Sequence, residues 1–111
     1  MNNPKFQIFK SLNNNQYYYR LNAINGETIL SSEGYTTKQN CINGIASVKY
    51  NSPFDSRYDR KDSLTSYTFN LKGLNGEIIG RSESYTTRIA RENGISAVKR
   101  DAPTAGTEDL C

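Results

Sequence analysis

Glu33 and Glu83 are the carboxylates best placed to do chemistry, since each stands just before a tyrosine and an expected helix start. General acid–base catalysis needs two titratable groups held together in different surroundings, within about 10 Å for a glycosidase-like pair. Nothing in the sequence brings these two together. A glutamate ahead of a helix N-terminus serves more simply as a partner for the helix dipole or as a loop hydrogen-bond acceptor. Cys41 could be a nucleophile only beside an activating base. The chain contains no histidine and no tryptophan, and Cys41 and Cys111 form no spaced set, so histidine-based catalysis and ordinary zinc sites are excluded. Packing on a buried helix face is the expected role of Cys41.

Two further groups recur. Thr36-Thr37-Lys38 and Thr86-Thr87-Arg88 form a candidate anion site, because a helix start offers free backbone N–H groups and each copy adds a cation. Capping alone accounts for the threonines. Tyr35 and Tyr85 could stack on a ligand, or could cover the edge of the core with the hydroxyl in water. Lys49 and Lys99 suit the negative end of a helix dipole. The expectation is no catalytic residue, no metal ligand and no cofactor.

These residues recur because the chain repeats itself. A shift of 50 residues superimposes Tyr17 to Pro53 on Tyr67 to Pro103 without a gap. Asn25-Gly26-Glu27 returns as Asn75-Gly76-Glu77, Tyr35-Thr36-Thr37 as Tyr85-Thr86-Thr87, and Asn43-Gly44-Ile45 as Asn93-Gly94-Ile95; Cys41 returns as Arg91. A unit of about 50 residues buries too little surface to be stable alone, so two copies, at about 5–53 and 54–111, should share one core in a single domain spanning 1–111.

Within each copy the hydrophobic period sets the elements. Phe6 and Ile8 alternate along Lys5 to Lys10, a strand, and Asn13 to Asn15 make a turn. Tyr17, Tyr19, Leu21 and Ala23 form one face of a second strand and Tyr18, Arg20 and Asn22 the other. At Asn25-Gly26, a type I turn with a glycine bulge pairs Ala23 with Glu27 and sets Leu21 opposite Ile29, whereas a two-residue turn sets Leu21 opposite Leu30, whose counterpart is Gly80. Since Leu21 and Ile29 recur unchanged, the bulged hairpin is preferred, with Gly26 and Gly76 at positive φ. Glu27 to Ser32 is the third strand. Thr36-Thr37 signals a helix N-cap, with Gln39 completing a possible capping box on Thr36. Two readings remain beyond it: a helix ending at Asn43-Gly44 and followed by a strand, or one helix running through Gly44.

An aromatic strand, Asn-Gly-Glu, Ser-Glu-x-Tyr-Thr-Thr-Lys/Arg and Asn-Gly-Ile-x-x-Val-Lys, all present twice, together with the ending Glu108-Asp109-Leu110, resemble the bacterial YegP family. The resemblance implies a β-β-β-α-β unit used twice, both copies contributing to one antiparallel sheet with exchanged C-terminal strands. It places Gly44 and Gly94 inside helices. The family is functionally uncharacterised, so no catalytic residue carries over. Ser63 to Ser66 departs from the usual turn of the second copy, and Cys111 ends the chain abruptly.

Hydrophobic residues make up 35% and charged residues 23%, the mix of a soluble globular domain. The formal charge of +3 is well short of a dedicated nucleic-acid binder, and it resides before Asp55: five basic and two acidic residues precede Asp55, and there are nine of each from Asp55 onward. Met1 to Lys10 alternate polar and apolar residues, without the pattern of a signal peptide, and no apolar run is long enough to span a membrane. With two unmatched cysteines, a reducing, cytoplasmic setting is expected.

The expected fold is therefore α+β: two tandem β-β-β-α-β repeats with both helices on one face of a shared antiparallel sheet. The open face would carry Tyr18, Arg20 and Asn22 from one copy and Thr68, Asn70 and Lys72 from the other. The expected function is a non-enzymatic binding or protein-interaction module, a monomer with pseudo-twofold symmetry and no membrane partner. The alternative is a weak single-stranded nucleic-acid binder that stacks bases on this face.

Overall fold

A computed structural model describes residues 3–111; Met1 and Asn2, the start of the alternating segment, lie outside it. In chain order the elements are β1 (Lys5–Lys10), β2 (Tyr17–Asn22), β3 (Thr28–Ser31), α1 (Lys38–Asn51), a single 3-10 turn (Asp55–Arg57), β4 (Tyr58–Asp62), β5 (Tyr67–Lys72), β6 (Ile78–Arg81), α2 (Arg88–Asp101) and β7 (Gly106–Asp109). The strands form one sheet in the order β4-β5-β6-β3-β2-β1-β7. Two three-stranded meanders thus meet at β3 and β6, where Ser31 pairs with Arg81.

The strand following each helix joins strands of the second meander from α1, and of the first from α2: β4 pairs with β5, and β7 with β1. That is the expected exchange, with one economy. β4 both follows α1 and opens the second copy, so seven strands suffice. One pairing departs from the expected antiparallel sheet. β7 runs parallel to β1: the three antiparallel pairings β6–β3, β3–β2 and β2–β1 set β6 opposite to β1, and after α2 the chain returns opposite to β6, hence in the sense of β1.

Phe6 and Ile8 on β1, Tyr19 and Leu21 on β2, Leu30 on β3, Tyr58 on β4 and Phe69 and Leu71 on β5 point to one side and form a single core with Cys41, Ile45, Val48, Ile95 and Val98 of the helices. Both helices cover this face. Each reaches across the junction: α1 packs on β6 and α2 on β3. The Tyr19 hydroxyl also donates to the Ile79 carbonyl of the other copy. Each fully buried Leu, Ile or Phe contributes about 1.5–3 kcal/mol, and much of that burial depends on the opposite copy.

Both hairpins close as bulged turns: the Ala23 N–H donates to the Glu27 carbonyl at 2.8 Å, and Gly26 and Gly76 have φ of 85° and 82°. The register beyond the turn differs from the expected one. A second irregularity between Leu21 and Asn22 makes Leu21 face Leu30, and in the other copy Leu71 faces Gly80. Each helix runs unbroken through its glycine. A Cβ built on Gly44 would stand 2.5 Å from the Tyr35 hydroxyl, so glycine is what lets that ring lie across the helix. The caps are Thr37 and Thr87, whose hydroxyls accept from the N–H groups of Asn40 and Ala90 at 3.1 and 3.0 Å. The Thr36–Gln39 capping box does not form, because the helix starts one residue later and Gln39 donates to Asn43.

Candidate binding surface

The sheet face away from the helices is built by the opposite parity of the same strands. On β1 this parity places Lys5, Gln7 and Phe9 opposite Asn22, Arg20 and Tyr18 of β2. Phe9 was absent from the sequence-based set, although Phe6 and Ile8 at period two already assign it to the open face. The Phe9 and Tyr18 rings stack with centroids 5.7 Å apart and planes at 16°. The Arg20 guanidinium lies 4.8 Å from the Phe9 centroid, and its Nε donates to Gln7 Oε1 at 2.8 Å. Asn22 is nearly buried between Gln7, to which its Nδ2 donates, and Thr28, whose hydroxyl donates to its Oδ1. Asn14 Nδ2 donates to the Tyr18 hydroxyl at 2.9 Å.

The second copy offers a different surface. Thr68, Asn70 and Lys72 lie on β5, beside Asp59 and Lys61 of β4. Lys72 and Lys61 sit 3.5 and 3.7 Å from the Asp59 carboxylate. Arg81 pairs with Glu33, and Lys5 with Glu108 at 3.4 Å. Among the described residues, Arg20 is thus the strand-borne cation of this face without a carboxylate partner; Arg57, just ahead of β4, forms no ion pair either. The Arg20 charge is shared only with Gln7 and the Phe9 ring.

The two halves of the expected anion site are separate. At α1, Lys38 reaches Asp109 at 2.9 Å and the Cys111 carbonyl at 3.2 Å. Lys38 holds the Asp109 carboxyl down at about 2. At α2, Arg88 reaches Asp62 at 2.9 Å and lies over Tyr67. Each cation beside a helix start already holds a carboxylate from the strands.

Glu33 and Glu83 leave β3 and β6 in opposite directions from the Ser31–Arg81 pair, about four residues of strand rise, or ~13 Å, apart. Cys41 is fully buried, and burial pushes its thiol up to about 11, where the reactive thiolate is scarce at neutral pH. Its counterpart Arg91 is equally buried but finds partners: Asp62, Glu92 at 3.0 Å and the Lys61 carbonyl at 3.4 Å. Tyr35 and Tyr85 are half-buried at the core edge, each tied through its backbone to Tyr17 or Tyr67. Lys49 lies over the Phe6 ring, and Lys99 joins Asp55 at 2.7 Å while lying over Tyr58. No helix among the described residues is long and apolar enough to cross a membrane.

Such an arrangement, two meanders joined edge to edge under helices that reach across the junction, defines a tandem-repeat α+β protein. The chain belongs to the family described as domain of unknown function DUF1508, which matches it twice, over residues 13–59 and 62–109. It is similar to a UPF0339 protein from Stutzerimonas stutzeri, 54% identical over 48 residues, covering 43% of each chain. It is likewise similar to the UPF0339 protein YegP of Escherichia coli K12, 52% identical over 56 residues and 50% of each chain. In these sequence matches the chain spans about half the length of the curated relatives or less. Solution structures superimpose more fully. A UPF0339 protein from Shewanella oneidensis matches with a TM-score of 0.90 at 42% identity, over 96% of this chain and 91% of its own. The Escherichia coli YegP structure, described as a protein of unknown function, matches with the same TM-score and identity over 99% and 95%.

Proposed function

We propose that the chain is a non-catalytic binding module of the cytosol whose open sheet face docks a protein partner. The observation that carries this reading is Arg20, set beside two aromatic rings on a face where the other strand cations, Lys5, Lys61, Lys72 and Arg81, are each matched to a carboxylate. A partner segment that brings a carboxylate next to an apolar side chain would satisfy it. A non-catalytic role is supported by the dispersal of the groups that could react: Glu33 is held by Arg81, Glu83 lies at the far end of the junction, and Cys41 is buried.

The single-stranded nucleic-acid reading draws on the same patch. Phe9, Tyr18 and Arg20 combine rings and a cation, but Arg20 and Tyr18 already cover Phe9, which leaves less ring surface for a base. A pull-down from native lysate with the wild-type chain and with Arg20→Ala tests both readings. The module reading expects a protein that co-purifies with wild type and is lost with Arg20→Ala. Turnover of any small molecule by the purified chain would refute it. Oligonucleotide binding that weakens with salt and with Tyr18→Ala would replace it by the nucleic-acid reading.

A further inference from the structure

The sheet ends differently at its two edges. At one edge β7 covers β1 in parallel, and the Leu110 N–H donates to the Ile8 carbonyl at 2.8 Å. At the other edge, among the described residues, β4 has β5 as its single neighbour. Tyr58 faces Leu71 as Phe6 faces Leu21, and the two leucines match in the repeat. β4 thus holds in the second copy the place that β1 holds in the first. It has no counterpart of β7 beside it, because β4 is itself the strand that follows α1.

The backbone of β4 is set to receive such a strand. The Ser63 N–H donates to the Ser66 carbonyl at the end of the β4–β5 ladder. Hydrogen-bonded pairs alternate along an antiparallel ladder, so Asp59 and Lys61 turn their N–H and C=O groups toward β5, and Arg60 turns its own outward. Arg60 therefore matches Ile8 both in place and in the direction of its carbonyl. Free edge groups of this kind accept an added strand.

Charge selects which strand. In the first copy Glu108 of β7 accepts from Gln7 Nε2 at 2.6 Å and lies 3.4 Å from Lys5. The residues at the places of Lys5 and Gln7 are Arg57, which closes the 3-10 turn, and Asp59. Asp59 is already held by Lys61 and Lys72, at 3.7 and 3.5 Å. Arg57 forms no ion pair among the described residues. Three cations thus stand against one carboxylate here, and the covering carboxylate that Lys5 meets is missing for Arg57. Those charges turn away a basic strand and favour an acidic one.

We propose that the outer edge of β4 takes up an acidic extended segment of a partner protein as an eighth strand, parallel to β4 as β7 is to β1. Its backbone pairs with Arg60, and its carboxylate reaches Arg57 and Lys61. The probe is the peptide acetyl-Thr-Ala-Gly-Thr-Glu-Asp-Leu-amide, the sequence of residues 104–110. It is titrated at pH 7 into the ¹⁵N-labelled full chain and followed by NMR.

Saturable shifts are expected at the Arg60 and Asp62 amides and not at Ile8, with slowed solvent exchange of the Arg60 N–H. Methylating the peptide leucine nitrogen removes the N–H that the Arg60 carbonyl would accept and should weaken binding at least about tenfold. Glu108→Gln in the peptide should weaken it about fivefold to tenfold, Arg57→Gln in the chain likewise, and the two together little further. Arg20→Ala should change nothing, so this site stands or falls apart from the open sheet face. No saturable shift up to about 5 mM peptide, shifts at Ile8 that mark displacement of β7, or equal binding of the N-methyl peptide overturns the proposal. So does an unchanged affinity with either glutamine substitution, or self-association of the chain through β4, which would make the occupant a second copy.

Discussion

Leu30 occupies the space that a side chain at Gly80 would need. A Cβ built on Gly80 would lie 2.6 Å from Leu30 Cγ, although the two residues hold the same place in the two copies. Near the pseudo-twofold, two leucines would collide and two glycines would leave a void, so the duplicated chain resolves the conflict with one large and one absent side chain. Leu30→Ala should cost about 2–5 kcal/mol, and Gly80→Leu should be strongly destabilising through overpacking. The exchanged pair, Leu30→Gly with Gly80→Leu, should recover a large part of the stability lost by Gly80→Leu alone. Urea unfolding of these variants and of Leu30→Gly alone checks this; an exchanged pair as unstable as the sum of its two single changes would contradict it.

The two helix glycines should respond unequally to alanine. At Gly94 the atoms nearest the new methyl all belong to Tyr85, at the hydroxyl end of a half-buried ring. The gain in helix propensity, about 1 kcal/mol, should roughly offset that contact. At Gly44 the methyl would also come within 2.9 Å of the Tyr19 ring, which is buried and tied to the Ile79 carbonyl. Gly44→Ala should therefore have the lower midpoint in thermal unfolding, and the reverse order would count against this packing.

Acid should loosen the second copy through its carboxylates. Asp62 is held low by Arg91 and then Arg88, Glu92 by Arg60 and then Arg91, and Asp55 down to about 2 by Arg60 and then Lys99. Folded-state values below the unfolded ones mean that these groups stabilise fully above about pH 4.5 and lose that contribution as pH falls toward about 2. Asp62→Asn should flatten the dependence of stability on pH in this window. At pH 7 it should also destabilise more than Arg91→Met, which leaves Asp62 to Arg88 and Glu92 to Arg60. Denaturant midpoints between pH 2 and 7 decide the order.

A thiol reagent should modify Cys111 and spare Cys41 in the native protein, since the first is exposed and the second is not. One equivalent should react in buffer and two in denaturant. Rapid reaction of both in buffer would show that the core under α1 opens readily.

Much of this arrangement was legible because local period and turn chemistry agree with the fold. The alternation through Tyr17–Ala23 and the Asn-Gly turns point directly to β2, β5 and their bulged hairpins. What escaped depends on partners distant in sequence. The second irregularity at Leu21 brings Leu30 against Gly80, a relation visible only once β3 lies beside β6. Whether α1 passes through Gly44 is undecided by propensity, because the reason for glycine is the Tyr35 ring that folds back over it. Arg91 in a position matched by a buried cysteine looks like a surface residue until Asp62 and Glu92 are placed beside it. The open face was legible in its parity, yet the unpartnered state of Arg20 was not, since Asp59, Glu33 and Glu108 come to its neighbours from other strands.

The account rests on the mutual dependence of the two copies, whose helices each cover a strand of the other. The most direct test is sedimentation and ¹H–¹⁵N NMR of residues 1–53 and 54–111, each expressed alone and kept dilute. Either an unfolded chain or a self-associated dimer is predicted for each. A dispersed spectrum from a stable monomer of either half would contradict the shared core.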